Sequence, residues 1–338
     1  MSTIAEGIEI VDLPAFRAET DALLERFAAE PAGPELDPYQ ALLLDRQEFP
    51  DPELAGERDQ RTSAEDVTID LPGRTLQARI YRFAAGPRPV LLWLHGGGFI
   101  GGDLRDIEYA TSGIAAAGNV IVVSLNYRLA PEDPFPAGLH DVRDTLRWLR
   151  EHTADLNGDG RIAVGGQSAG AALAAGACLL ARDEGQPLPN RQILCYPSLD
   201  HDQDTESVRL FDGTFLSIAA DRWSAQQYFP DGELPATAVP LRAETLAGLP
   251  PALLLGAGRD PLRDDARNYA SRLARDGVPN RLVEYADTMH AFLNFPAVLS
   301  AGRHAVELIG ADLRTAFSAR RSSAAGSASP RSSGRHRA

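Results

Sequence analysis

The sequence of 338 residues contains no lysine, so all 33 of its basic residues are arginine. A Schiff base, a serine–lysine dyad and a phosphate-binding P-loop each require a lysine, and the sequence excludes all three kinds of site. The arginines are outnumbered by 47 acidic residues, which gives a formal net charge of −14. This surplus of negative charge argues against nucleic acid and anionic membranes as partners.

Cysteine is also scarce, with Cys178 and Cys195 both in apolar segments. We expect them to pack as small core residues, because two such residues make neither a disulfide framework nor a metal site; we expect no metal and no other cofactor. No apolar run is long enough to span a bilayer. The N-terminus has acidic residues but no basic region of a signal peptide, so a soluble, cytoplasmic protein is expected.

What the sequence does contain is a regular alternation of short apolar runs with helical patterns. The runs typical of buried strands lie at 89–94, 120–125, 162–164, 192–196 and 252–255. Alternating patterns at 67–69 and 76–83 predict a hairpin of two strands, 281–285 is the last predicted strand, and 298–317 is the last predicted helix. Strands that alternate with helices predict an α/β fold, with a mostly parallel central sheet of about eight strands flanked by helices on both faces.

The composition also suggests a domain organisation. Residues 1–63 combine a helical pattern with a segment rich in proline and acidic residues, and we interpret them as N-terminal cap helices, with a simple arm as the alternative. The main domain is predicted over 64–318. Within it, about 198–249 lacks a buried strand and carries aromatic residues that either line a pocket or pack a cap insertion onto the domain. Residues 319–338 are rich in Arg and Ser and are predicted to be disordered.

A G-x-S-x-G motif at 166–170 lies between the apolar run 162–164 and the helix-forming run 171–175. Strand, tight turn and helix form the context of a nucleophile elbow, in which small neighbours of the serine let the strand and helix approach. We expect Ser168 to present its hydroxyl at the top of the sheet. The amide of Ala169, at the helix N-terminus, then points to where an oxyanion would form.

A serine hydroxyl becomes a good nucleophile only when a base removes its proton. Asp260 follows one buried strand and His290 follows the last strand, in the order Ser, acid, His that α/β hydrolases use. Because the carboxyl ends of parallel strands share one edge, the three side chains are expected to meet there as a triad. The other carboxylates weighed for the acid are Asp264, Asp265 and Asp287.

The motif H-G-G-G-F at 95–99 follows a buried strand directly. Glycines allow backbone amides to approach a substrate carbonyl, so Gly97 and Gly98 are predicted to complete an oxyanion hole with Ala169. His95 and Gly96 are interpreted as structural support for this loop, and a flexible connection is the alternative.

These motifs, together with N-Y-R-L-A-P-E-D-P-F-P-A at 126–137 and D-P-L-R-D-D at 260–265, resemble the hormone-sensitive-lipase-like (bacterial family IV) esterases of the α/β-hydrolase superfamily. The resemblance spans about residues 65–317. It implies the α/β-hydrolase fold, the triad and oxyanion hole named above, and hydrolysis of carboxylic esters, mostly with short to medium acyl chains, without a metal. It also implies a structural role for Tyr127, Arg128 and Glu132.

The sequence departs from the bacterial members of that family at Gln167, where aspartate is usual. An amide cannot carry that charge, so we expect changed hydrogen bonding and a changed substrate range, with catalysis retained. One alternative is a dedicated tailoring hydrolase, lactonase, acyltransferase or cyclase that uses the same triad on one small-molecule substrate. A second is a non-catalytic ligand-binding relative. The sequence does not identify the natural substrate or the oligomeric state, and a homodimer is one possibility.

Overall fold

The computed structural model describes residues 2–5, 7–30, 36–48, 50–201 and 204–325. Its strands are β1 (Ser2–Ala5), β2 (Ile8–Val11), β3 (Ser63–Leu71), β4 (Arg74–Arg82), β5 (Arg88–Leu94), β6 (Ile121–Leu125), β7 (Gly158–Gln167), β8 (Arg191–Cys195), β9 (Ala252–Arg259) and β10 (Asn280–Met289). Its helices are α1 (Pro14–Ala29), α2 (Pro38–Asp45), α3 (Pro52–Ala55), α4 (Glu108–Gly118), α5 (Ala137–Glu151), α6 (Ala169–Asp183), α7 (Glu206–Phe211), α8 (Ile218–Tyr228), α9 (Arg263–Arg275) and α10 (Ser300–Ala325).

The described strands form one ten-stranded sheet in the order β1-β2-β10-β9-β8-β7-β5-β6-β4-β3. The seven strands β2-β10-β9-β8-β7-β5-β6 pair with their neighbours in parallel. At the edges of the sheet, β1 pairs with β2, β4 with β6, and β3 with β4 in antiparallel orientation. The predicted mostly parallel α/β sheet is confirmed, and β3 to β10 are the eight predicted strands.

The first two strands are not predicted by the sequence. They lie within residues 1–63, for which we expect helices, and β2 extends the sheet by pairing with β10. Two strands of four residues each are too short to produce an alternating pattern that can be recognised. The rest of this segment contains α1, α2 and α3, as its helical pattern and its proline residues indicate.

Helices cover both faces of the sheet. On one face, α5, α6 and α9 pack on a cluster that includes Leu92 and Val164. On the other face, α1, α4 and α10 pack on a cluster that includes Trp93 and Val283. Because both faces are buried, the central strands contain nearly continuous apolar runs instead of an alternating pattern.

The segment 198–249 contains α7 and α8 and no strand among its described residues. Tyr228 stacks on Phe99 with ring centroids 4.1 Å apart, and both Tyr228 and Phe229 join the core cluster. Phe215, by contrast, is partly exposed and lines a cavity. Both alternatives for these aromatic residues therefore occur: Tyr228 and Phe229 pack the insertion onto the domain, and Phe215 lines a pocket.

The last helix is longer than the pattern over 298–317 predicts. It ends at Ala325 and so includes the first seven residues of the segment predicted to be disordered, while 326–338 lie outside the described residues. No helix in the described parts of the chain has the length and apolarity needed to cross a membrane.

Candidate active site

Ser168 occupies the sharp turn between β7 and α6. Its backbone has φ 53° and ψ −121°, a conformation that non-glycine residues rarely adopt. Its amide donates a hydrogen bond to the carbonyl of Cys195 at 2.9 Å. A Cβ atom on Gly166 would lie 2.6 Å from the carbonyl oxygen of Leu94, and one on Gly170 would also clash with the backbone of β5. The glycines of the motif are therefore required by the close approach of strand, helix and neighbouring strand.

Three side chains from three strand ends form a continuous chain of hydrogen bonds. Ser168, Asp260 and His290 directly follow β7, β9 and β10. The Oγ atom of Ser168 lies 2.9 Å from Nε2 of His290, and Nδ1 of His290 lies 2.7 Å from Oδ2 of Asp260. Oδ1 of Asp260 accepts a hydrogen bond from the amide of Leu262 at 2.8 Å. Asp260 is fully buried and His290 nearly so, which shields the pair from water.

The competing carboxylates have other partners. Asp265 accepts hydrogen bonds from two backbone amides of the insertion, and burial raises its pKa well above the usual range. Asp264 accepts one from the amide of Ser207, and Asp287 pairs with Arg17 at 2.8 Å. Of the four candidate carboxylates, Asp260 is therefore the one that bonds His290, and Asp264, Asp265 and Asp287 bond other groups.

The glycine-rich loop after β5 lies beside Ser168, since a Cβ atom on Gly96 would be 3.3 Å from Cβ of the serine. The carbonyl of Gly97 accepts hydrogen bonds from the amides of Ile100 and Gly101, and its φ is +112°. A Cβ atom there would lie 2.2 Å from the carbonyl oxygen of Gly101, so the turn admits no side chain. Gly96, Gly97 and Gly98 line the same cavity as Ser168, and Ala169 is the first residue of α6.

His95, the first residue of this loop, is fully buried. Its Nδ1 lies 2.7 Å from the carbonyl oxygen of Gly96, and its ring stacks on Tyr127 with centroids 4.3 Å apart. The hydroxyl of Tyr127 donates a hydrogen bond to the carbonyl of His95 at 2.9 Å. Burial lowers the pKa of His95 to about 4, so its ring is neutral near pH 7. These contacts support the interpretation that His95 shapes the loop.

The two charged residues carried over from the family segment anchor the surroundings of the site. Arg128 donates to both carboxylate oxygens of Asp141, which is fully buried. Glu132 receives Nη1 of Arg46 at 2.9 Å, and this contact lowers the pKa of Glu132. Both ion pairs connect the loop after β6 to neighbouring helices, as a structural role requires.

A cavity of about 1140 Å³ opens onto Ser168 and His290. The N-terminal segment contributes Leu42 to its wall, and the insertion contributes Phe215 and Leu216. Both segments interpreted as cap thus reach the cavity that contains the reactive hydroxyl.

Gln167, directly before Ser168, is buried and bonded through both ends of its amide. Its Nε2 donates to Oδ1 of Asn294 at 2.5 Å, and its Oε1 accepts from the hydroxyl of Tyr196 at 3.1 Å. The two hydrogen-bond partners of Gln167, Asn294 and Tyr196, were not predicted from the sequence. The only feature of the sequence that points to them is their position. Tyr196 directly follows β8, and Asn294 comes four residues after His290.

No cluster of His, Cys, Asp or Glu able to hold a metal ion occurs within the part of the chain that the structure describes. Both cysteines are buried and unpaired by any disulfide. The chemistry that this arrangement can perform is nucleophilic attack by an activated hydroxyl.

Comparison with known proteins places this geometry in a family. A family model described as the α/β hydrolase fold matches residues 91–294. The esterase LipI of Mycobacterium tuberculosis is 39% identical over 249 residues, which cover 71% of this chain and 78% of LipI. The carboxylesterase NlhH of the same species is 35% identical over 303 residues, covering 81% and 94% of the two chains. The solved structure of an α/β hydrolase enzyme from the metagenome of Lake Arreo, Spain, has a TM-score of 0.82 at 31% identity and covers 90% of this chain and 100% of that one.

This chain therefore belongs to the α/β-hydrolase-fold family, and within it to the hormone-sensitive-lipase-like group that its motifs resemble. The predictions of family and fold are confirmed. The prediction of a carboxylesterase-type enzyme is confirmed at the level of the family, whose matched members are named esterases.

Proposed function

We propose that this protein is a serine carboxylic-ester hydrolase in which Ser168 is the nucleophile, His290 the general base and Asp260 the group that orients the imidazole. The observation that carries the proposal is the unbroken relay from Asp260 through His290 to Ser168, with separations of 2.7 and 2.9 Å. Such a relay removes the proton of the hydroxyl as it attacks.

The proposed reaction has two halves. Oγ of Ser168 attacks the ester carbonyl while Nε2 of His290 takes its proton, and the alcohol then leaves with that proton. Water, activated by the same imidazole, attacks the acyl-enzyme and releases the carboxylic acid. Asp260 keeps the proton-bearing Nδ1 of His290 directed away from the serine throughout.

The oxyanion of both tetrahedral intermediates is proposed to bind the amides of Gly97, Gly98 and Ala169. The position of Gly97 and Gly98 in the cavity wall and of Ala169 at the N-terminus of α6 supports this assignment. A preorganised donor of this kind typically contributes about 3 kcal/mol to stabilisation of the transition state.

We propose esters of short to medium acyl chains as substrates. The cavity, at about 1140 Å³, is of the order of those that hold small organic ligands, and its walls combine apolar side chains with polar ones. Gln167, directly before the nucleophile, is among the residues that line the cavity and adds no charge to it.

The test is hydrolysis of p-nitrophenyl esters with acyl chains of two to twelve carbons by the parent and by Ser168→Ala. We expect kcat to fall about 10⁴-fold or more in the variant, because no other group replaces the nucleophile. A fluorophosphonate should label Ser168 in the parent, as identified by mass spectrometry. Ser124→Ala, which changes another buried serine on β6, serves as the matched control and should keep its activity.

Turnover retained by Ser168→Ala would refute the assignment. Parent protein that is labelled at Ser168 but hydrolyses every member of the ester panel poorly would instead favour a dedicated tailoring hydrolase, lactonase or acyltransferase with the same triad. Addition of an alcohol acceptor then separates acyl transfer from hydrolysis.

A further inference from the structure

The loops that carry Ser168 and His290 are joined by a buried amide bridge. The two residues are 122 positions apart, so their 2.9 Å contact depends entirely on how the two loops pack. Gln167 lies beside Ser168, and Asn294 lies in the short turn that follows His290. The 2.5 Å hydrogen bond between their side chains therefore connects one loop to the other within one residue of the nucleophile.

The third member of the bridge is Tyr196, which directly follows β8. Tyr196 donates its hydroxyl to Oε1 of Gln167, and the edge of its ring packs against His290 with centroids 5.0 Å apart. Tyr196 is 1% exposed, as is Gln167. Gln167 thus has both its donor and its acceptor satisfied in a buried environment, where such bonds are costly to lose.

We propose that Gln167 is a positioning residue that sets the distance between Ser168 and His290 by bridging Asn294 and Tyr196 without adding a charge. The proposal rests on the ester-hydrolase function proposed above. A displacement of reacting groups by about 1 Å can reduce a rate about 100-fold, so a bridge at this position controls turnover more than substrate binding.

Gln167 also adds no charge next to His290. Among the described residues, the titratable side chains that make a hydrogen bond or a ring contact with the imidazole of His290, besides the serine, are Asp260 and Tyr196. Burial raises the pKa of Tyr196 well above 10, so its phenol stays neutral. β7 contributes the uncharged Gln167, so Asp260 is the carboxylate that stabilises the imidazolium.

The first test replaces Gln167 with Met, which has similar length and makes no such hydrogen bonds. We expect kcat on a p-nitrophenyl ester to fall about 10-fold to 100-fold with KM changed less than about 3-fold. Asn294→Leu breaks one of these two hydrogen bonds and should also lower kcat. The double variant should be no worse than Gln167→Met alone, because Gln167→Met already removes both bonds of the bridge. Hydrogen exchange of the amides of 291–294 should speed up in Gln167→Met.

The second test is Gln167→Glu, which has a matching length and restores hydrogen bonding with a charge. Its carboxylate accepts from Tyr196 and from a rotated Asn294 amide, so kcat at the optimum should recover most of the loss. The acid limb of kcat/KM should move up by about half a pH unit or more, because the added carboxylate favours the imidazolium. If Gln167 had a purely structural role, the acid limb of the kcat/KM profile would stay at the same pH in Gln167→Glu.

Gln192→Met is the matched control. Gln192 is also a buried glutamine, on the neighbouring strand β8, and its Nε2 donates to the carbonyl of Pro250 at 2.8 Å. This variant should lower the melting temperature while leaving kcat and the pH profile unchanged. Parental kcat in Gln167→Met, additive losses in the double variant, or an unmoved acid limb in Gln167→Glu would each overturn the proposal.

Failure of the proposed ester-hydrolase function can be distinguished from failure of the bridge. Parent protein without ester turnover, or without labelling of Ser168, contradicts the ester-hydrolase function itself. The exchange rates of 291–294 still decide the bridge in that case, since unchanged exchange in Gln167→Met would exclude it.

Discussion

Asp106 shows how burial changes a single residue at the wall of the cavity. Burial raises its pKa to about 6, and the nearby charges of Asp103 and Asp45 act in the same direction. A hydrogen bond from the amide of Asp103 to Oδ2 at 2.7 Å opposes the shift. This carboxyl group is therefore proton-bound near pH 5 in the folded protein, where an unfolded chain would have released the proton.

Asp106→Asn should stabilise the protein at high pH. The folded pKa is raised, so the stability associated with Asp106 is complete below about pH 3.8 and is lost as pH rises through about 6. Asparagine avoids this loss and keeps the bond from Asp103. We expect urea unfolding at pH 8 to show a gain of about 1 to 3 kcal/mol that vanishes near pH 4.

Asp66→Asn is the contrasting control for this measurement. A hydrogen bond from Arg79 lowers the pKa of Asp66, so its charge is favourable at pH 8. This variant should show no gain in stability at that pH. A gain for Asp106→Asn that is the same at both pH values would contradict the role given to its burial.

At the scale of an element, α2 is held against the cavity by Arg46, the residue that directly follows it. Nε and Nη2 of Arg46 donate to the carbonyls of Ile100 and Ala130, each at 2.6 Å, and Nη1 pairs with Glu132. These partners belong to the glycine loop and the loop after β6. Arg46 thus connects α2 to two loops that shape the cavity, and Leu42 on α2 packs into its wall.

Arg46→Gln should loosen α2 without touching the relay. We expect KM to rise about 3-fold to 10-fold while kcat changes less than about 3-fold, because α2 contributes to the walls around the substrate. Steady-state kinetics on the preferred p-nitrophenyl ester provide the measurement. Arg82→Gln, which breaks a surface ion pair with Glu65 on β3, is the control and should leave both constants unchanged. An unaltered KM in Arg46→Gln would exclude the tether.

At the scale of the whole molecule, the sequence contains no lysine. Apart from histidine, arginine is therefore the only side chain that can supply the positive partner of an ion pair. Arg74 and Arg128 both bond the fully buried Asp141, and Arg191 pairs with Asp312 across from β8 to α10. The planar guanidinium suits such two-pronged contacts better than an ammonium group. In these three ion pairs the arginines therefore neutralise carboxylates that are buried or nearly so.

The two cysteines provide a probe of global unfolding. Cys178 and Cys195 are fully buried in α6 and β8, and burial raises the pKa of Cys178 to about 12 and that of Cys195 further. A buried thiol reacts only when the core opens. We expect a thiol reagent such as iodoacetamide to leave the native enzyme active and unlabelled, and to label both residues in denaturant. Rapid labelling of the native protein, measured by mass spectrometry, would contradict this packing.

Local sequence patterns were enough to predict the parallel sheet, the order of eight of its strands along the chain, and the placement of Ser168, Asp260 and His290 directly after strands. Buried strands show as apolar runs, and the loop that follows each strand must lie at the same edge as its neighbours, so local patterns were sufficient.

Contacts between distant segments became visible only in the folded structure. It placed β1 and β2 in the sheet, assigned Asp264, Asp265 and Asp287 to other partners, and joined Gln167 to Tyr196 and Asn294. Each of these depends on a contact between segments far apart in the chain, and no periodic pattern records which distant polar group a side chain will meet when both become buried.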